Sequence, residues 1–187
     1  MRPWAVGSAT VAPIALIGGW TWAASRQPSG FDPIRDTISA LAARHATDRW
    51  IMTTALFVLG VCHVVTASGL TEATRASRAV LAAGGAATVA VAALPQPASG
   101  HVAAATVGFV ALSIWPFTSG VPSTRIARWA TVALLALLTW LGIATRTDDA
   151  LGLSERVAAG AQAVWPFAVA IVLVGRSVQL NRGWRVK

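Results

Sequence analysis

The sequence has no tyrosine, one lysine, one cysteine and only 7 acidic residues in 187. Each shortage removes a possibility. Cys62 has no second cysteine to form an intramolecular disulfide and no Cys/His spacing around it that suits a metal, so it reads as a small buried hydrophobe. With 12% charged residues against 55% hydrophobic ones and a mean hydropathy of +0.61, the chain lacks the ionisable groups to cover a water-soluble domain. No glycine-rich phosphate loop is present, so nucleotide use is not expected and no cofactor is implied.

What remains is apolar helix. Charge-free windows approaching the roughly 20 residues that cross a bilayer core of about 30 Å occur six times, over Trp4–Ala23, Trp50–Gly69, Ala79–Leu94, Val102–Phe117, Trp129–Thr145 and Val157–Gly175. These predict an all-α polytopic membrane protein, a six-transmembrane-helix bundle forming one domain over 1–187, with a basic tail at 176–187. T-W-A-A-S at 21–25 offers a signal-peptide-like site, but no Lys/Arg cluster precedes the first span and its length favours a retained helix. L-P-Q-P-A-S-G-H at 94–101 is turn chemistry joining the third and fourth spans.

Loop charge orients the bundle. Arg2, Arg75, Arg78, Arg125, Arg128, Arg176, Arg182, Arg185 and Lys187 fall on one side with Glu72 as their single acid, so that side carries all of the +8 net charge. Short basic loops stay in the cytoplasm. The expectation is a multi-pass protein of the cell membrane with both termini cytoplasmic and 25–49, 95–100 and 146–156 outside. The basic tail beside a membrane helix suits anionic lipid rather than nucleic acid. The oligomeric state is open.

The outer loops hold the candidate chemistry. In G-F-D-P-I-R-D-T-I-S-A-L-A-A-R-H at 30–45, Ile34, Ile38 and Leu41 share one face of a short amphipathic helix, with Asp32 as N-cap and Pro33 in its first turn. Asp36 and Ser39 project from a neighbouring face. His101 starts the fourth span and Glu155 the sixth, within G-L-S-E-R-V-A-A at 152–159. If the helix starts converge, Asp36, His101 and Glu155 line one outward pocket as catalytic groups; otherwise Asp36 and Glu155 are helix-dipole partners.

Two polar groups lie deeper. His63 sits well inside the second span, where ionisable groups are functional candidates unless, as a neutral ring, they bond a carbonyl or a neighbour such as Thr66. Gln162 is its counterpart in the sixth span. W-P-F occurs twice, at 115–117 and 165–167. Trp115 lies about four turns from His101 and Trp165 about 2.8 turns from Glu155, so each expected polar mouth has an indole below it. Trp115, Trp165, His63, Gln162 and Ser39 are therefore the expected substrate-binding residues of a pocket for an amphipathic molecule.

F-D-P-I-R-D-T-I-S-A-L-A-A-R, His63 followed by T-A-S-G-L, L-P-Q-P-A-S-G-H-V-A-A-A-T-V-G-F at 94–109 and G-L-S-E-R-V together resemble the bacterial integral-membrane family called domain of unknown function 998, from about residue 10 to residue 175. The resemblance implies a small six-helix protein and brings no catalytic residues with it. In size and apolar composition the chain is also similar to small integral-membrane terpene cyclases.

The functional expectation is a metal-independent membrane enzyme using carboxylate or histidine acid–base chemistry on a lipid-like or isoprenoid substrate, including proton-initiated terpene or meroterpenoid cyclisation, with indole faces stabilising the cation. The alternatives are non-catalytic binding or transport of a small hydrophobic compound, or a membrane-complex subunit using A-A-G-G-A-A at 82–87 for close helix contacts. A zinc site from Asp36, His45 and His101 is weaker, because no two histidines have the spacing of one helical face.

Overall fold

The computed structural model describes residues 1–183, without the side chains at 177, 178 and 180–183; Arg185 and Lys187 and the side chain of Arg182 therefore lie outside the described residues. These residues form seven helices and no strand: α1 Pro3–Ser25, α2 Ile38–Leu41, α3 Trp50–Gly69, α4 Arg75–Ala93, α5 His101–Ser119, α6 Thr124–Thr147 and α7 Leu151–Gly183. All but α2 are long and apolar enough to cross a membrane. Their ends follow local chemistry. The Thr74 hydroxyl accepts from Ser77 N–H to open α4, the Ser123 hydroxyl does the same for Ile126 in α6, and Gly120 closes α5 in the left-handed region at φ 64°.

The six long helices make a ring in the order α1, α3, α4, α5, α6, α7, with α7 returning to α1. Where α3 and α4 cross, neither backbone tolerates a side chain: a Cβ on Gly85 would lie 2.6 Å from Gly60 O, and one on Gly60 2.6 Å from Gly85 O. Gly84 lies under Leu112 of α5, where a Cβ would come within 2.7 Å of its side chain. The buried members of the 82–87 stripe, Gly84, Gly85 and Ala87, thus pack inside the bundle, while Ala83 and Ala86 are exposed.

Two apolar clusters fill the ring. One gathers Leu16, Ile38, Leu41, Ile51, Met52, Leu56, Leu59 and Val91 towards the end that carries α2; the other gathers Leu70, Leu81, Leu112, Trp115 and Val169 towards the end that carries Met1. Exposed indoles mark both rims. Trp4 and Trp129 lie at one, and at the other Trp22 and Trp50 pack edge to face with centroids 5.4 Å apart, as amphipathic rings do at headgroup level. The Trp-Pro pairs are not of this kind, since Trp115, Pro116 and Pro166 are all fully buried.

The first long loop departs from its expected form. A helix does occur there, but it is confined to Ile38–Leu41, capped by the Thr37 hydroxyl accepting from Ala40 N–H at 2.9 Å. Residues 33–36 are turn, and Ile34 is 53% exposed while Ile38 and Leu41 are buried. The cause is tertiary. The carbonyls that would accept the next helical bonds are taken by α7: Gly152 N–H donates to Arg35 O at 3.1 Å and Leu153 N–H to Ile34 O at 3.0 Å. Asp32 accepts from Ile34 N–H, and the Asp36 carboxylate accepts from Asp32 N–H at 2.7 Å, so both acids stabilise the turn.

Candidate functional site

A cavity lies between the two clusters at the centre of the ring. Every helix but α6 lines it: Leu16 from α1; Ile38 and Ser39 from α2; Leu56, Leu59 and His63 from α3; Thr88 and Val91 from α4; Ala105, Gly108, Phe109 and Leu112 from α5; Glu155, Ala159 and Gln162 from α7. The centre of a water molecule has about 60 Å³ in which to sit. The walls are mostly aliphatic, and five lining side chains are polar.

The roof is α2, and Glu155 holds it down. One carboxylate oxygen, Oε2, accepts from the backbone N–H groups of Ile38 and Ser39, and Oε1 accepts from the Ser39 hydroxyl at 2.9 Å. The first amides of a helix have no partners of their own, so the carboxylate completes α2 while fixing it across the bundle. Arg156 grips the other polarity. Its Nη1 donates to the carbonyls of Pro33, at 2.7 Å, and Asp36, at 2.6 Å, and its guanidinium lies 5.9 Å from the Phe31 ring centroid. Adjacent residues of opposite charge therefore clamp one loop, the acid on its amides and the base on its carbonyls.

Gly152 makes that approach possible. A Cβ there would lie 2.8 Å from Pro33 O and closer still to Asp36 O, both backbone atoms that cannot swing aside. Gly152→Ala should therefore lift the 31–41 loop from α7. We expect faster proteolytic cleavage within 31–41 and a loss of about 1–3 kcal/mol of stability, the usual cost of overpacking. Proteolysis of the two proteins at matched concentration measures it, and equal cleavage rates would show that the clamp has slack.

His63 and Gln162 lie deeper in the same cavity. Gln162 Nε2 donates to Phe109 O and to the Ser113 hydroxyl, both at 2.9 Å, leaving Oε1 without a donor. His63 has 0% exposure, and neither ring nitrogen has a hydrogen-bonding partner. The structural account of a satisfied core histidine does not hold: Thr66, the expected neighbour, donates to the Ser8 hydroxyl instead.

Of the sequence candidates, the cavity thus gathers Glu155, Ser39, His63 and Gln162. It does not gather the other four. Asp36 braces the 32–36 turn and faces an open groove with Asp32, Asp148 and Asp149. His101 is buried but turns Nδ1 to Leu94 O at 2.6 Å, closing the 94–101 turn. The outward pocket shared by Asp36, His101 and Glu155 is not formed. Trp115 and Trp165 also stand outside the lining. Ala105, Gly108 and Leu112 follow His101 along α5 at helical spacing and line the cavity, which stops at Leu112, a turn short of the Trp115 indole. The two tryptophans belong to the packed layer beneath the cavity floor.

Among the described residues no three His, Cys, Asp or Glu side chains are grouped to hold a metal ion. Residues missed from sequence are Thr88, Phe109, Gly152 and Arg156. Arg156 had a signal, a charge within the first turns of an apolar span, whereas nothing local marks the others.

The motif segments 31–41 and 152–156 are therefore one structural unit. Over residues 10–172 the chain matches the family model described as Protein of unknown function (DUF998), and it belongs to that family. No curated protein and no solved structure matches it.

Proposed function

We propose that this DUF998 protein binds a lipid-like molecule whose polar end occupies the central cavity, with His63 as the group available for acid–base chemistry on it. One observation carries the reading. A fully buried histidine with both nitrogens unpartnered forfeits about 1–3 kcal/mol per unsatisfied group, and native proteins leave such groups where a ligand, water or reaction uses them. Aliphatic walls beside a few converging polar groups are what an amphipathic molecule needs.

Volume limits the chemistry. On the scale where a cavity of about 150 Å³ takes a benzene, about 60 Å³ takes a head group and no folded isoprenoid chain. Cyclisation also requires aromatic faces around the cation, and among the described residues Phe109 is the one Phe or Trp lining the cavity. Glu155 is less suited than expected to be the proton donor, because both its oxygens already accept from α2. Proton transfer by His63 to or from the bound polar end is the enzymatic form of the proposal.

The test is native mass spectrometry of protein released from nanodiscs made with total bacterial membrane lipid extract. Wild type should carry an adduct that Ala159→Leu, which narrows the cavity while keeping every polar lining residue, reduces at least tenfold. Identical adducts on both proteins would refute the cavity as the binding site.

The proposal places α2 and its loop outside the cell membrane and both termini in the cytoplasm, on the strength of the basic loops at the Met1 end. With Cys62 replaced by alanine, an impermeant thiol reagent added to intact cells should label Ser29→Cys and spare Thr124→Cys. The opposite pattern reverses the orientation.

A further inference from the structure

The polar end of the occupant can be specified from the hydrogen-bonding capacity the cavity has left over; this rests on the proposal that the cavity binds a ligand. The lining groups have largely spent their donors. Both Gln162 amide protons are engaged, the Ser39 hydroxyl gives its proton to Glu155, and the Thr88 hydroxyl gives its own to Gly84 O at 2.9 Å. What remains is acceptors: Gln162 Oε1, one lone pair on Glu155 Oε1 and one nitrogen of a neutral His63, against a single His63 N–H donor.

Charge points the same way. Glu155 lines the cavity, and among the described residues no Arg or Lys does. Arg156, its neighbour in sequence, turns its guanidinium to the loop carbonyls of Pro33 and Asp36. A carboxylate or phosphate entering here would meet acceptors and a like charge.

We infer that the cavity receives a primary ammonium group, the head of a single-chain amine whose alkyl tail lies among the aliphatic walls and beyond. An ammonium brings three donors and no acceptor, which suits a lining whose unused capacity is mostly acceptors, and its charge offsets the buried carboxylate. It is about the size of a water molecule and fits the space. A trimethylammonium has no N–H to donate and is several times larger. An alcohol brings one donor and no charge.

Four twelve-carbon probes separate these cases: dodecylamine, dodecanol, dodecanoate and dodecyltrimethylammonium, each titrated at equal membrane mole fraction into nanodiscs holding wild type or Ala159→Leu. Binding counts only where Ala159→Leu removes it, which sets aside adsorption to the bilayer. The expected result is Ala159-sensitive binding of dodecylamine at least tenfold tighter than of any other probe. A smaller margin, or a preference for another head group that Ala159→Leu still removes, overturns the ammonium assignment and leaves the binding site standing. No Ala159-sensitive binding of any probe, together with an unchanged adduct in the lipid-extract experiment, overturns both.

Discussion

Replacing Glu155 by alanine should cost about 3–5 kcal/mol of stability and lower the Tm by on the order of 10 °C, a large effect for a side chain that makes no ion pair. The carboxylate is the partner of two backbone amides and one hydroxyl of α2, all buried. Truncation strands all three, and each stranded donor costs about 1–3 kcal/mol. Glu155→Gln should be milder, about 1–2 kcal/mol. Its amide oxygen still serves the Ile38 and Ser39 amides, and its NH₂ can donate to a Ser39 hydroxyl that turns to accept. Ser39→Ala should fall below both, since it deletes one neutral partner. Thermal unfolding in one detergent gives the order. If Glu155→Gln costs as much as Glu155→Ala, charge rather than hydrogen-bond acceptance holds α2 in place.

The six spans were legible because bilayer crossing is a property of composition and length, and both can be counted along a chain. The depth of His63 and Gln162 was legible for the same reason. Which groups meet was not. Asp36 and Glu155 are both acids near a helix start, yet one closes a turn and the other holds a helix, and the difference rests on where the Arg156 and Gly152 backbone partners lie in space. The short α2 shows this most clearly. The pattern Ile34, Ile38, Leu41 is a sound amphipathic face, and it was overridden when α7 took the carbonyls a longer helix needs. The paired Trp-Pro stretches lie a turn beyond the cavity lining, because helical spacing fixes angle and leaves the position of a void to packing.

His63→Leu should have opposite effects on stability and on binding. In the folded protein the ring is fully buried with no partner on either nitrogen. Leucine removes that unsatisfied polar group and matches the surrounding Leu16, Leu56 and Leu59, so stability should rise by about 1–3 kcal/mol. The same change removes the polar contact at the foot of the cavity. Adduct formation from lipid extract should fall at least tenfold, about 1.4 kcal/mol in affinity. A purely structural histidine would give no such pairing. Loss of stability in His63→Leu would mean that the ring is satisfied in the native membrane state, and unchanged adduct formation would remove it from the site.

The most direct test is an experimental density map of the protein in lipid nanodiscs, at a resolution where lipid chains and ordered waters are distinct. Continuous density within hydrogen-bond distance of His63 and Gln162, passing the aliphatic walls beneath α2 and extending into the bilayer, is the predicted result. Isolated water peaks bridging His63 to protein groups, with no chain density in the ring, would contradict the account and make the cavity a solvated defect of the bundle.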